Sequence, residues 1–157
     1  MTDRARILVI DDDESVRKVL SAALEDEGYD VETAETGKKA VEMSQKRFYN
    51  MALIDIRLPD MEGTKLLSDL KSTTPKMVKI IVTGYPSMQN AIEAVKRGAS
   101  DYIVKPFNME NALETIKKHL AAQEGERKYS EEKVKEFIET RVSEADAEER
   151  TPRKGKS

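Results

Sequence analysis

The sequence contains no cysteine, and this absence excludes disulfide bonds, thiolate zinc sites and cysteine nucleophiles. Long apolar runs are also absent. The run Ile7-Leu8-Val9-Ile10 ends at Asp11, so it is too short for a signal-peptide core or a membrane span. Neither sign of charge dominates, because 27 Lys and Arg oppose 30 Asp and Glu. We therefore predict a cytoplasmic protein that contacts no membrane and does not bind DNA directly.

Short apolar runs alternate five times with amphipathic stretches of helical period. The predicted strands are 6–10, 29–34, 51–55, 77–82 and 101–104, and the predicted helices are 14–27, 36–46, 64–71, 87–97 and 108–122. Strict alternation predicts an α/β fold with a five-stranded parallel sheet and helices on both faces. The expected strand order is 2-1-3-4-5, that of a flavodoxin-like three-layer sandwich.

The composition changes after about residue 122. Gly125 is expected to interrupt the last helix, and an apolar stripe within 130–150 predicts a second helical stretch. The polar and basic end, 151–157, is predicted to lack fixed structure. We therefore divide the chain into a domain at 1–122 and a charged, partly helical extension at 123–157. The extension is a linker of a longer protein, a segment that pairs two chains or packs back on the domain, or a solvated helix; composition does not choose among these.

Acidic side chains follow two of the predicted strands. Asp11 and Asp12 follow the first strand, and Asp55 ends the third. Because these strands flank the point where the strand order reverses, the three carboxylates are expected to converge at one edge of the sheet. Thr83 and Lys105 follow the fourth and fifth strands at the same edge. Clustered carboxylates suit Mg²⁺, a carboxylate can act as a nucleophile, and a lysine and a hydroxyl can bind phosphoryl oxygens.

The chain resembles the receiver domains of two-component response regulators from about Arg6 to Leu120. The matching segments are ILVIDDDESVRKVL at 7–20, ALIDIRLPDMEG at 52–63 and IIVTGYPSMQNAIEAVKRGASDYIVKPF at 80–107. The resemblance implies that a sensor histidine kinase or a phosphotransfer protein phosphorylates Asp55. It implies a phosphoacceptor rather than an enzyme: the domain catalyses its own phosphorylation and its own slow dephosphorylation.

The resemblance also implies a divalent metal cofactor, Mg²⁺ or, in its place, Mn²⁺. Asp12 and Asp55 match direct metal ligands, and Asp11 matches a residue that acts through water. The backbone carbonyl of Arg57 matches the third protein ligand.

Other positions match the residues that bind and sense the phosphoryl group. Thr83 and Lys105 match the phosphoryl-binding hydroxyl and lysine, and Tyr102 matches an aromatic switch on the fifth strand. The Lys105–Pro106 bond matches one that is usually cis in the family. The implied output is a downstream protein partner at the surface of helix 4, strand 5 and helix 5, or a homodimer linked to phosphorylation.

Two bulky residues are candidates for tuning the lifetime of the phosphoryl group. Arg57 and Tyr85 each lie two residues beyond a predicted site residue, Asp55 and Thr83. In a receiver these side chains flank the path of the hydrolytic water, so the resemblance implies slow dephosphorylation.

The first acids also fit a different class of protein. Asp11, Asp13 and Ser15 match the opening motif of haloacid-dehalogenase phosphatases, Mg²⁺-dependent enzymes in which Asp11 would be the nucleophile. That alternative leaves Asp55 and Lys105 unexplained. The single histidine, His119, lies among lysines late in the last predicted helix and is expected on a solvated face.

Overall fold

Five parallel strands form the central sheet of this protein, whose computed structural model describes residues 4–150. The strands are β1 (Arg6–Ile10), β2 (Asp30–Ala34), β3 (Met51–Ile54), β4 (Val78–Thr83) and β5 (Asp101–Val104). Their order in the sheet is β2-β1-β3-β4-β5, which confirms the predicted fold class and strand order. β1 and β3 lie next to each other at the point where the order reverses.

The helices begin and end at residues that explain their limits. They are α1 (Glu14–Asp26), α2 (Gly37–Lys46), α3 (Gly63–Asp69), α4 (Met88–Lys96) and α5 (Met109–Arg150). The Ser87 side chain accepts a hydrogen bond from the first turn of α4, and the Asn108 side chain accepts one from the first turn of α5. Gly28 and Gly98 follow α1 and α4 with φ of 94° and 93°, a backbone conformation that favours glycine.

Two apolar clusters hold the helices against the sheet. On one face Ile7, Val9 and Leu53 pack against residues of α1 and α5, and on the other face Leu8 and Ile54 pack against residues of α2, α3 and α4. β3 is buried on both faces, as a central strand of a parallel sheet should be. Each fully buried aliphatic side chain stabilises the fold by about 1.5–3 kcal/mol, so the strand ends are held firmly.

The prediction that Gly125 interrupts the last helix is wrong, because α5 continues to Arg150. A glycine inside a helix costs only about 1 kcal/mol relative to alanine. Around it, Arg127 pairs with Glu124 at 2.6 Å and with Glu131 at 2.9 Å, and such pairs one turn apart support a helix. The chain divides into two compact units between Gln123 and Glu124.

Two further predictions concern the polar end of the chain and membrane contact. The end predicted to lack fixed structure, 151–157, lies outside the described residues. None of the helices within 4–150 combines the length and the apolar character that crossing a membrane requires.

Candidate functional site

The pairing of β1 with β3 brings two acids together. Ile10 is paired with Ile54, so the next residues, Asp11 and Asp55, leave the sheet side by side. The Asp55 N–H donates to the Ile10 carbonyl at 3.0 Å, which continues the ladder to the acid itself. Asp11, Asp12 and Asp55 each offer a carboxylate oxygen, and these oxygens all lie within 4.8 Å of one another. The convergence expected from the strand order is therefore present.

Lys105 follows β5, which lies two strands away from β3, and its side chain extends to this acidic cluster. Its backbone N–H donates to the Thr83 carbonyl at 2.8 Å, which ties the end of β5 to the end of β4. Its ammonium nitrogen Nζ lies 2.6 Å from Asp11 Oδ2 and 3.7 Å from Asp55 Oδ2. The Lys105–Pro106 bond is cis, as the resemblance implied, and Thr74–Pro75 is cis as well, which the sequence did not indicate.

Asp55 carries an unsatisfied oxygen in a buried position. The residue is 6% exposed, and its Oδ1 has no hydrogen-bond partner among the described residues. Burial raises the pKa of the Asp55 carboxyl, the Asp11 carboxylate raises this pKa further, and the nearby Lys105 ammonium lowers it in part. A buried acceptor without a donor is unfavourable, so this oxygen is suited to receive a cation or a covalent group.

Both carboxylate oxygens of Asp11 and one of Asp13 already accept hydrogen bonds. Asp11 Oδ2 pairs with Lys105, and Asp11 Oδ1 accepts the Asp13 N–H at 2.9 Å. Asp13 Oδ1 accepts the N–H groups of Ser15 and Val16 at 2.8 and 3.3 Å, so this side chain caps α1. Asp13 thus acts as a helix cap, and Asp11 forms an ion pair with Lys105 beside Asp55.

The two predicted switch residues are buried to different degrees. Thr83 is fully buried, and its Oγ1 accepts the Tyr85 N–H at 3.1 Å. Because Oγ1 acts as an acceptor there, the hydroxyl hydrogen remains able to donate elsewhere. Tyr102 is half-buried against the apolar cluster under α2, α3 and α4, and its hydroxyl oxygen is buried without a hydrogen-bond partner among the described residues.

The two candidates for lifetime tuning touch each other. The Arg57 guanidinium carbon lies 3.8 Å from the centroid of the Tyr85 ring, a cation–π contact. Arg57 belongs to the loop after β3, and Tyr85, which is 54% exposed, belongs to the loop after β4. The contact therefore joins the loop that carries Asp55 to the loop that follows Thr83.

Sequence reasoning missed two residues that hold the loop after β3. The Gly63 N–H donates to the Ile56 carbonyl at 2.6 Å, and a Cβ at Gly63 would overlap the Asp55 carbonyl oxygen. Asp60 accepts the N–H groups of Gly37 and Lys38 at 2.9 and 2.8 Å, and these bonds lower the pKa of its carboxyl. A glycine at the start of a helix was an available signal for Gly63, whereas no local pattern marks Asp60.

His119 lies away from the acidic cluster and is not on a freely solvated face, so that prediction is wrong. Its Nε2 lies 2.9 Å from Asp101 Oδ2, and its side chain is 22% exposed. Burial alone would raise the pKa of the Asp101 carboxyl, but hydrogen bonds from His119 and from the Tyr102 backbone outweigh it and lower this pKa. The pair links α5 to β5.

Comparison with known proteins points to one family. A family model described as the response regulator receiver domain matches residues 7–117. The transcriptional regulatory protein ZraR of Escherichia coli O157:H7 is 39% identical over 119 residues, which are 76% of this chain and 27% of that protein. This chain thus spans about a quarter of the length of the curated relatives it matches. None of these relatives supports the haloacid-dehalogenase alternative.

Solved structures agree in fold. A CheY-like response regulator receiver domain protein from Methanospirillum hungatei JF-1 is 44% identical with a TM-score of 0.76, and the match covers 79% of this chain and 99% of that chain. The chemotaxis protein CheY4 of Vibrio cholerae is 30% identical with a TM-score of 0.69, and the match covers 74% of this chain and 98% of that chain. Both matches extend over nearly the whole of the compared chain.

Proposed function

Since this chain belongs to the response regulator receiver domain family, we propose that Asp55 is the side chain on which it accepts a phosphoryl group. One observation carries this assignment. Asp55 is the acid in the cluster with a buried, unpartnered carboxylate oxygen, whereas both oxygens of Asp11 are engaged. Asp12 is exposed and so lacks the shielded surroundings that protect an acyl phosphate from water.

The residues around Asp55 fit a divalent metal. The donors are hard carboxylate oxygens within 4.8 Å of one another, and the buried Asp55 Oδ1 has no hydrogen-bond partner within 4–150. We assign Asp12, Asp55 and the backbone carbonyl of Arg57 as direct ligands of Mg²⁺, with Mn²⁺ as a substitute, and Asp11 as a ligand through water. The metal would neutralise the carboxylates and the negative charge of the incoming phosphoryl group.

In the transfer step, Asp55 attacks the phosphorus of a phosphohistidine on a sensor kinase or phosphotransfer protein. An aspartyl O–P bond forms as the histidine N–P bond breaks, and the imidazole leaves. Lys105, with its Nζ already 3.7 Å from Asp55 Oδ2, binds the phosphoryl oxygens. Because the receiver supplies these positioned groups itself, the transfer is largely self-catalysed, and small phosphodonors serve as well.

The phosphoryl group is then sensed by residues of β4 and β5. The Thr83 hydroxyl donates to a phosphoryl oxygen, and its movement opens space for Tyr102. Rotation of Tyr102 breaks no hydrogen bond of its hydroxyl among the described residues, because that oxygen has no partner. The two states of the ring bias the surface formed by α4, β5 and the first turns of α5.

That surface is suited to a protein partner. Met88, Ile92 and Val95 of α4 and Val104 of β5 are between 44% and 77% exposed. Exposed apolar side chains of this number on a small domain indicate a contact surface. The occupant is a downstream protein or, after phosphorylation, the same surface of a second chain.

DNA contact, location and phosphoryl lifetime are further features of the function. Relatives such as ZraR are transcriptional regulators, but this chain matches only 27% of ZraR. The nearly balanced charge of the chain supports the prediction that it does not itself contact DNA. A cytoplasmic location stays a prediction, as does slow self-dephosphorylation.

Intact mass spectrometry tests the assignment of Asp55. The full chain is incubated with Mg²⁺ and acetyl phosphate, alongside Asp55→Ala, a chelated sample, and Asp69→Ala as a control for loss of an exposed aspartate. We expect one phosphoryl adduct in the wild type and in Asp69→Ala, and none in Asp55→Ala or with chelator. An adduct that survives Asp55→Ala but is lost in Asp11→Ala would support the phosphatase alternative. If no adduct forms, a titration with beryllofluoride separates a kinase-dependent receiver from a protein that signals without phosphate.

A further inference from the structure

The second unit of the chain carries apolar side chains that its own helix leaves exposed. We call Val134, Phe137, Ile138, Val142 and Ala145 the extension stripe. Its four larger members are 54–60% exposed, although burial of such side chains is favourable. Their spacing places them along one side of α5, while charged residues fill most of the rest of this segment. The stripe lies outside the residues matched by the receiver family, so the family assignment does not account for it.

The surface of the stripe is shaped to receive a side chain. A groove on this segment is lined by Glu131, Val134, Lys135 and Ile138, together with two flanking polar residues. These four have the spacing i, i+3, i+4 and i+7, which is the arrangement that forms the hole for a side chain of a second helix in a coiled coil. The groove therefore suits a second helix that places an apolar side chain between these four residues.

The charges along the stripe indicate which helix fits. Glu131 lies one turn before Val134, and Arg141 lies one turn after Ile138, on the same side of the helix. In a parallel, in-register pair of identical helices, Glu131 would face Glu131 and Arg141 would face Arg141. In an antiparallel pair centred between Val134 and Ile138, Glu131 faces Arg141 of the second copy at both ends.

The apolar positions agree with the antiparallel arrangement. In it Val134 lies opposite Ile138 of the second copy, and the groove between Val134 and Lys135 receives that Ile138 side chain. Phe137 of each copy lies near the centre of the pair. The Arg141 guanidinium carbon is 5.0 Å from the centroid of the Phe137 ring, so its flat face already covers part of the apolar surface.

We propose that residues 131–141, which carry the stripe members Val134, Phe137 and Ile138, pair with the same segment of a second copy of this chain in an antiparallel helix pair. The pairing uses residues outside the acidic cluster and is expected without any phosphodonor. It therefore goes beyond the proposed phosphorylation of Asp55, and a result that contradicts one of the two proposals does not contradict the other.

Sedimentation velocity on the full chain tests the pairing. Ile138→Asp places a charge at the centre of the stripe, and Thr140→Asp places the same charge on the opposite side of the helix as a matched control. We expect a concentration-dependent dimer for the wild type and for Thr140→Asp, and a monomer for Ile138→Asp. Circular dichroism confirms that both variants keep their helix content. A monomeric wild type at the highest soluble concentration, or undiminished association of Ile138→Asp, would overturn the proposal.

The absence of cysteine makes the orientation directly measurable. Val134→Cys and Ile138→Cys chains are oxidised separately and as an equal mixture, and the products are identified by mass; Ser143→Cys reports random collisions. We expect the mixed Val134→Cys/Ile138→Cys disulfide to form several-fold faster than either self-disulfide. Fast formation of the Val134→Cys self-disulfide would indicate parallel helices and overturn the antiparallel arrangement. Cross-linking no faster than that of Ser143→Cys would overturn the pairing itself.

Discussion

Replacement of Asp55 by asparagine is expected to stabilise this protein when divalent metal is absent. Asp55 is 6% exposed, and the pKa of its carboxyl is raised first by burial and then by Asp11. A raised pKa of an acid means that folding disfavours its charged form. Asparagine keeps the size of the side chain and removes the charge, so the folded state loses an unfavourable interaction.

The distances bound the magnitude. At an effective dielectric constant of about 20, two unit charges within 4.8 Å, as in Asp11 and Asp55, repel by at least about 3.5 kcal/mol. At the same dielectric constant, Lys105 at 3.7 Å attracts Asp55 by about 4.5 kcal/mol. These two contributions nearly cancel, so the cost of burying the Asp55 charge decides the sign. We expect a gain in unfolding free energy of about 1–2 kcal/mol, which raises Tm by roughly 3–8 °C.

The assay is thermal unfolding of the wild type and Asp55→Asn in EDTA, with Asp69→Asn as an exposed control. Because the folded pKa of Asp55 is raised, its penalty is fully present above that pKa and disappears below the unfolded value of about 3.9. The gain of Asp55→Asn should therefore be present at neutral pH and vanish in acid. Added Mg²⁺ should favour the wild type, by about 1.4 kcal/mol at ten times its Kd.

An Asp55→Asn protein that melts at the wild-type temperature in EDTA at neutral pH would refute this reasoning. It would mean that Lys105 fully compensates the buried charge. A gain of the same size in Asp69→Asn would show that the effect reflects net charge rather than the acidic cluster.

Three further predictions concern Gly63, the contact between Arg57 and Tyr85, and the pair of His119 with Asp101. Gly63→Ala places a Cβ against the Asp55 carbonyl oxygen, so it should lower the unfolding free energy by about 2–4 kcal/mol in urea titrations; an unchanged midpoint would contradict the close packing. The double variant Arg57→Asn, Tyr85→Ala removes the stacked pair and should lose its phosphoryl group faster by up to roughly tenfold, or about 1.4 kcal/mol of barrier, in a time course of intact mass; equal rates would exclude shielding. His119→Ala removes the partner that lowers the Asp101 pKa. The charged form of Asp101 stabilises the fold, and this stabilisation is lost as pH falls through the folded pKa of Asp101. In His119→Ala the stabilisation should therefore be lost at a higher pH, and the difference in unfolding free energy should be at most about 1 kcal/mol because the pair is partly exposed. Superimposable pH–stability curves of the variant and the wild type would contradict this prediction.

The architecture and the place of the acidic cluster follow from patterns that are visible along the chain. Period-2 and period-3.6 patterns are local, so they marked the five strands, the first four helices and the start of α5 to within a few residues, but not the end of α5. Once five strands alternate with helices, the parallel sheet and its strand order bring the ends of β1 and β3 together, and Asp11 and Asp55 converge without any further information. The positive-φ glycines after α1 and α4 and the cap at Asn108 are local features too, because each depends only on neighbouring backbone groups.

The hydrogen bonds and ion pairs of the individual side chains depend instead on contacts between distant parts of the chain. In the described part of the chain Asp55 Oδ1 has no hydrogen-bond partner, whereas Asp11 pairs with Lys105. This difference depends on the conformation of the long Lys105 side chain, which extends from β5 past β4 and β3. The partner of His119, Asp101, is 18 residues away in the chain and meets it only because α5 packs on β5. The continuation of α5 through Gly125 was mispredicted because a glycine's small local cost is outweighed by ion pairs and helix propagation around it. Local sequence patterns thus determine which strands and helices form, whereas the packing of elements that are distant in the chain determines which charged side chains pair.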